Sequence, residues 1–286
     1  SVLFGTGTGT FGAPTNVPVG AVPSSVAIGD LNRDGKPDLA VASFANDAVF
    51  ILLNLFAGGG GGPGNQPPVV DAPLAETSII AIGIGAALYG WRPVSEIQFA
   101  DFIHPAFNQI VNEAARIRYR SNGTWTCPLI IRAPYGGGVG GGLYHSQSVE
   151  AFFAHVPGLY VVAPATPYDI VGMLRYAFRV QDPVLFLEHK KTYRLIKGEV
   201  PEERYEIPFG KADIKRAGTD VTVIAYGLML HESLAAAESV MADNISVEVV
   251  DPRCLNPLDK ETILNSVKKT GKALIVYEDN LTLGLG

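Results

Sequence analysis

The sequence predicts an α/β fold with a smaller all-β unit in front of it, on three observations. Residues 1–54 carry short β-type runs (Val2–Phe4, Ser25–Ile28, Leu39–Ser43 and Ala48–Leu53), punctuated by glycine, threonine and proline and without a helical period. The run Gly58–Gly64 and the following Asn65-Gln66-Pro67-Pro68 read as a flexible linker with a stiffened exit, spanning residues 58–69. From residue 70 onward strands and helices alternate, the pattern of crossover units that build a parallel sheet covered on both faces.

In order along that second part, Glu76–Tyr89 is a helix of small and apolar residues and Val94–Phe99 a strand. Phe107, Ile110, Val111, Ala114, Ala115 and Ile117 recur at helical spacing and form one apolar stripe. Leu129–Arg132 and Leu159–Ala163 are buried-type strands. Thr166-Pro167-Tyr168-Asp169 then supplies an N-cap, a first-turn proline and an acid at the third helical position, so a helix starts there and leads to the strand Val184–Glu188. The charged, proline-rich stretch Lys190–Gly218 is the natural join to a second α/β domain. In that domain strand Val221–Tyr226, helix Leu230–Ala242, strand Ser246–Val250, helix Lys260–Lys269 and strand Ala273–Tyr277 follow one another. The expected boundaries are 1–57, 70–205 and 206–286.

Of 286 residues, 47% are apolar and 17% charged, which is a globular balance. A net charge of −6 gives no basic footprint for nucleic acid or anionic lipid. The apolar run Ile79–Tyr89 is too short to span a bilayer, so no membrane partner is expected. The first residues lack the basic and apolar segments of a signal peptide, which points to a cytoplasmic protein and to a start inside a longer segment. Two isolated cysteines, Cys127 and Cys254, read as buried thiols.

Asp30, Asn32, Asp34, Lys36 and Asp38 place oxygen donors at alternate positions around Gly35, a pattern suited to a hard cation such as calcium. The twelfth position is Val41 where an EF-hand needs glutamate, and the flanks are β-type, so the EF-hand reading fails. With Phe11-Gly12-Ala13-Pro14 upstream and Leu39-Ala40-Val41-Ala42 downstream, residues 1–54 resemble an FG-GAP repeat, the blade unit of integrin-type propellers. The resemblance implies calcium held by the side chains of Asp30, Asn32, Asp34 and Asp38 and the Lys36 carbonyl. The plain alternative is a solvated Asx-rich turn. One repeat cannot close a propeller.

The stretches Asp71–Glu76, Gly90–Phe102, Arg132–Gly138, Tyr144–Ser148 and Ala151–Gly158 resemble, collinearly, the beta subunits of thiamine-diphosphate-dependent 2-oxo acid dehydrogenases. The fold so implied is a pyrimidine-binding domain followed by a transketolase C-terminal-like domain. Ile97–Asp101, Arg118–Ser121 and Phe186–Glu188 lean toward the branched-chain (2-oxoisovalerate) class over the pyruvate class. The implied reaction is oxidative decarboxylation of a 2-oxo acid with acyl transfer to lipoyl-lysine. Glu76 would hydrogen-bond the cofactor's pyrimidine and favour the tautomer that acts as base. Alone it would read as a helix-end glutamate on the macrodipole. Gln98 and Phe102 would pack on the pyrimidine, with Gln98 and Glu96 sharing one face of a strand. His145, after the glycine-rich Gly136–Gly142, would lie near the reacting carbons; His104, His155, His189 and His231 lack such support. The resemblance also implies a potassium ion at Leu129, Ala177, Phe178, Val180 and Asp182, with Val180 where an aspartate is usual.

Gly136-x-Gly138-x-x-Gly141 fits a dinucleotide pattern, but no helix opens on it, and Gly83-x-Gly85 lies within a helix; neither is read as a nucleotide site. The family's first helix and strand are absent upstream of Asp71, and the match stops at Gly286. No Gly-Asp-Gly…Asn motif for magnesium and diphosphate occurs. In two-chain members that motif belongs to the alpha subunit. The implied partners are therefore an alpha subunit, in an α2β2 heterotetramer, and a lipoyl acyltransferase. The chain by itself is expected to be inactive. The competing class is a calcium-dependent propeller-type binding module carrying an inactive α/β passenger.

Overall fold

The computed structural model describes residues 23–29, 38–43, 48–52 and 72–286. Phe11–Pro14, the loop residues Asp30, Asn32, Asp34 and Lys36, and the linker Gly58–Gly64 lie outside the described residues. The chain divides into two compact units, Ser1–Leu74 and Ala75–Gly286.

In the first unit, β1 (Pro23–Gly29), β2 (Asp38–Ser43) and β3 (Ala48–Leu52) form an antiparallel meander. Gly29 is paired with Asp38, so the two ends of the aspartate loop lie side by side. The β-type runs read at Ser25–Ile28, Leu39–Ser43 and Ala48–Leu53 therefore fall on three strands.

The second unit contains two sheets. The first has the order β11-β6-β7-β5-β4, built from β4 (Val94–Glu96), β5 (Ile130–Tyr135), β6 (Tyr160–Val162), β7 (Val184–His189) and β11 (Cys254–Asn256). Its first four strands run parallel and β11 joins antiparallel to β6. Every residue of β7 is buried. Leu185 and Leu187 enter one apolar cluster, with Ile80 and Ile84 of helix α1 (Glu76–Leu88) and Phe153 of α3 (Glu150–Ala154). Val184 and Phe186 enter another, with Met173 and Ala177 of α4 (Pro167–Ala177). The period-two geometry of a strand thus feeds two cores from one run of apolar residues. Helix α1 approaches the sheet closely at Gly83, where an added Cβ would stand 2.4 Å from Ser95 Oγ and 2.8 Å from the Leu129 side chain. That contact, rather than a ligand, accounts for Gly83; an added Cβ at Gly85 would meet nothing within 4 Å.

Two elements differ from expectation. Strand β4 ends at Glu96 instead of Phe99. The Ile97 amide makes the last bond to β5, on the Arg132 carbonyl. The next β5 residue facing that edge is Pro134, which has no N–H to continue the ladder. Residues Ala100–Phe102 and His104–Ala106 close into 3₁₀ turns, so Gln98 does not share a strand face with Glu96. The apolar stripe at 107–117 runs through a π-helical turn, Gln109–Ala114, and a short α2 (Ile117–Arg120). Ile110, Ala114, Ala115 and Ile117 are buried, while Phe107 is 37% exposed with its ring against Phe153.

The second sheet has the order β12-β9-β10-β8, from β8 (Asp213–Arg216), β9 (Val221–Ala225), β10 (Val247–Asp251) and β12 (Ala273–Val276); a short α5 (Thr192–Leu195) precedes it. α6 (Leu228–Ser239) packs Leu230 and Ala237 on Val223, Val247 and Val249, and α7 (Lys260–Thr270) returns the chain to β12. The cysteines are free and buried, and burial pushes the Cys127 thiol up to about 12 and Cys254 to about 11. No helix among the described residues is long and apolar enough to cross a membrane.

Buried charge ties the two sheets together. The expected cap forms: Thr166 Oγ1 accepts from the Asp169 amide, and the hydroxyl donates to Asp169 Oδ2 at 2.6 Å. Asp169, wholly buried, also receives Lys215 Nζ at 2.6 Å and Arg253 Nη1 at 2.9 Å. Burial would raise this carboxyl, but the bonds from Lys215, Thr166 and Arg253 reverse that and hold it below the ordinary range. In α3 Glu150 is fully buried, its Oε1 accepting from the Tyr226 hydroxyl at 2.9 Å, and burial pushes it up to about 7.

Asp169→Ala leaves two cationic side chains without their carboxylate and should cost about 3–5 kcal/mol in chemical denaturation. Glu150 behaves oppositely to the usual surface acid. Its folded value lies above its unfolded one, so its contribution is fully present below about pH 4.5 and is lost as pH rises to about 7. Glu150→Gln should therefore gain stability relative to wild type as pH is raised from 4.5 to 7, read as the difference between two unfolding curves at each pH.

Candidate functional site

The carboxyl ends of β4, β5 and β7 and the turn and loop that follow β4 and β5 bring most of the expected site residues to one edge of the first sheet. Glu76 is the first residue of α1, half-buried, and its carboxylate has no hydrogen-bond partner among the described residues. Its neighbour Thr77 donates to the Pro105 carbonyl at 2.7 Å, which fixes the start of α1 to the turn just after Phe102.

Phe102 and His145 are brought together, with Phe99 as a third ring. The Phe99 and Phe102 rings meet the imidazole edge-on, at centroid distances of 4.7 and 5.4 Å, and meet each other at 5.8 Å. His145 Nδ1 donates to the Gly141 carbonyl at 3.2 Å, because a carbonyl can only accept. This leaves Nε2 as the ring nitrogen available for proton exchange.

The loop carrying His145 explains its own composition. Gly136, Gly138, Gly140 and Gly142 have φ of +84°, +79°, +76° and +63°. Every second residue sits where a side chain is strained. At Gly136 an added Cβ would also lie 2.0 Å from the His189 ring. The glycine-rich stretch is thus a backbone requirement, and only a three-residue 3₁₀ turn, Leu143–His145, follows it.

Gln98 is exposed and lines a cleft of about 350 Å³ with Glu96, Ile97, Arg132, Pro134, Glu188 and Tyr193. Arg132 grips Glu188 through two bonds, Nε–Oε1 at 2.8 Å and Nη2–Oε2 at 2.9 Å, and also holds Glu96. The Tyr193 hydroxyl donates to Glu188 Oε2 at 2.7 Å. Burial first, and then this bond to a carboxylate, raise the tyrosine above its ordinary value. A planar fork bound on both sides gives the cleft a rigid polar wall.

Sequence reasoning passed over Phe99, Asp101, Lys190 and His189. Asp101 is buried in the 3₁₀ turn; its Oδ1 accepts from the amides of Ser146 and Gln147, both at 3.0 Å. His189, with no sequence signal of its own, is buried and bonds Glu278 Oε2 at 2.5 Å. A period-two reading of β7 continued past Glu188 would have raised the question of where His189 and Lys190 find partners.

Three of the five groups expected to hold potassium make other bonds. The Leu129 carbonyl accepts from the Val184 amide at 2.9 Å, the Val180 carbonyl from Arg92 at 2.8 Å, and Asp182 from Arg118 Nε at 2.5 Å. Ala177 closes α4 and Phe178 caps it. Arg92 and Arg118 thus face two of these five positions. Among the described residues no group of three or more His, Cys, Asp or Glu side chains could hold a metal ion. Of the aspartate loop only Asp38 belongs to a described element, as the first residue of β2.

The transketolase pyrimidine-binding domain matches residues 48–196, more than half of the chain, and the transketolase C-terminal domain matches residues 210–286. An FG-GAP-like repeat matches residues 1–41. The chain is 63% identical over 211 residues to the 2-oxoisovalerate dehydrogenase subunit beta of Bacillus subtilis (strain 168), covering 74% of this chain and 64% of that protein. It is 51% identical over 217 residues to the pyruvate dehydrogenase E1 component subunit beta of the same organism, covering 76% and 67%. The corresponding pyruvate dehydrogenase subunit of Acholeplasma laidlawii is 49% identical over 210 residues, covering 73% and 64%. Among solved structures, a split-gene transketolase described as an inactive beta4 tetramer superposes with a TM-score of 0.61 at 27% identity, covering 74% of this chain and 65% of that one. The chain thus spans about two thirds of the length of these relatives.

Proposed function

We propose, for a chain that belongs to the transketolase pyrimidine-binding-domain family, that it is the beta subunit of a 2-oxo acid dehydrogenase acting on a branched-chain 2-oxo acid. The observation that carries this reading is the 63% identity to a 2-oxoisovalerate dehydrogenase beta subunit, against 51% for the pyruvate enzyme of the same organism.

The residues present fit the pyrimidine end of thiamine diphosphate. A flat heteroaromatic ring suits the aromatic faces around Phe99, Phe102 and His145, and the half-buried Glu76 carboxylate has acceptor capacity to spare. Bound there, thiamine diphosphate would supply a nucleophilic carbon and an electron sink for decarboxylation. Glu76 would accept a hydrogen bond from a protonated pyrimidine nitrogen and so favour the tautomer that can take up a proton. Phe102 would exclude water from that ring, and Gln98, four residues before it in the chain, would orient its exocyclic amine. His145, with Nδ1 engaged by the Gly141 carbonyl, would have Nε2 free to hold a proton for the substrate carboxylate or the lipoyl sulfur. Magnesium and the diphosphate fall to an alpha subunit, with a lipoyl acyltransferase as acceptor.

The test is reconstitution. The chain alone should not turn over; mixed with a cognate alpha subunit, thiamine diphosphate and magnesium it should prefer 2-oxoisovalerate to pyruvate. Glu76→Gln should preserve assembly while lowering kcat by at least about a hundredfold. Faster use of pyruvate would reassign the substrate, and a near-normal Glu76→Gln rate would remove Glu76 from the chemistry.

The front unit is proposed to bind calcium through Asp30, Asn32, Asp34, the Lys36 carbonyl and Asp38, on the strength of their spacing and of the adjacent strand ends Gly29 and Asp38. Calorimetric titration of the full chain should give heat of binding that Asp34→Ala abolishes; equal heat from both proteins would reduce the loop to an Asx-rich turn.

A further inference from the structure

We infer that Asp101 and Lys190 are a positioning pair whose task is to set where the His145 ring stands. The inference rests on the reading of His145 above only for its catalytic consequence.

Asp101 lies between the two residues that touch the imidazole, Phe99 and Phe102, on one tight turn. Its Oδ1 accepts from the amides of the two residues that follow His145, both at 3.0 Å. One turn thus supplies both the rings against which His145 packs and the acceptor that fixes the backbone beside it. The other side of the loop is held too, since the Gly136 amide donates to the Gln147 carbonyl at 3.0 Å. Between these feet, glycines make up six of the seven residues 136–142, so the loop has little internal stiffness of its own.

Lys190 is the cation that faces the buried Asp101. The two side chains are 6% and 1% exposed, with Nζ 3.7 Å from Oδ2. The same Nζ stands 5.4 Å from the centre of the Phe99 ring, a cation over an aromatic face. Neither Oδ2 nor Nζ has a hydrogen-bond partner, so Oδ1 alone carries the directional bonds and Lys190 contributes charge. Lys190 is in turn fixed by its backbone, its amide donating to the Tyr135 carbonyl at 3.0 Å. A carboxylate accepting two amides is a stronger clamp than a neutral oxygen would be. Neither residue needs to touch substrate to matter.

Hydrogen exchange on the full chain tests this without partner or cofactor. Asp101→Ala should speed exchange of the Ser146 and Gln147 amides by roughly tenfold or more, while Ile131 and Ala133 in β5 keep their protection. Asp101→Asn, whose amide oxygen still accepts, should restore most of it, and Lys190→Met should fall between. In the reconstituted enzyme Asp101→Ala should lower kcat about tenfold or more with KM little changed, and Asp101→Asn should recover much of the loss. Unchanged exchange at residues 146 and 147 overturns the inference. Faster exchange spread equally through β5 in both Asp101→Ala and Lys190→Met also overturns it, making the pair a strut for the whole fold. If exchange behaves as expected but wild-type reconstituted protein does not process 2-oxo acids, the functional reading fails and the positioning role stands.

Discussion

Strand β7 must be apolar on both faces because helices cover the first sheet on both sides, and this constraint organises the site as much as the core. Val184 to Leu187 satisfy it with four apolar side chains shared between two clusters. The run then ends in three polar residues that are just as buried, and each is sent to a different partner. Glu188 takes the Arg132 fork, His189 takes Glu278, and Lys190 takes Asp101. A charged group at the end of a buried strand is tolerated only when paired, so the strand's carboxyl end becomes the point from which three neighbouring segments are registered. The wall of the cleft, the segment after β12 and the turn under His145 all take their positions from it.

The two sheets of the second unit are joined by more than chain connectivity. Strand β11, from the second half of the sequence, completes the first sheet against β6. Tyr226 reaches Glu150, and Asp169 gathers a lysine from β8 and an arginine from the segment after β10. These contacts are polar and buried, and so carry directionality that apolar packing lacks. Glu278, beyond β12, accepts from His189 at the end of β7 and so ties the last segment of the second sheet to the first.

Much of this was legible in the residues. Thr166-Pro167-Tyr168-Asp169 announced α4 to the residue because a cap is a local device. The alternating strands and helices after residue 70 were readable because period and length suffice to distinguish them. Phe102 and His145 were found through resemblance, and the geometry brings their rings together. What escaped was set by partners distant in sequence. The early end of β4 follows from a proline on the neighbouring strand, which no pattern within 94–99 reveals. Asp101 entered only as the end of the Ile97–Asp101 stretch, because its two amides come from a loop more than forty residues away. The role of His189 depends on Glu278, near the opposite end of the unit.

The glycine loop 136–142 also has an entropic side. An unfolded glycine explores more conformations than any other residue, so holding six of them in one path costs more conformational entropy than an equal length of ordinary chain. That cost grows in proportion to absolute temperature, whereas the anchors opposing it are few and local. As the protein warms, the segment carrying His145 reaches its own melting balance well before the sheet beneath it. The upper working temperature of the site is then set by a few anchoring bonds, and strengthening the apolar core would leave it almost unmoved.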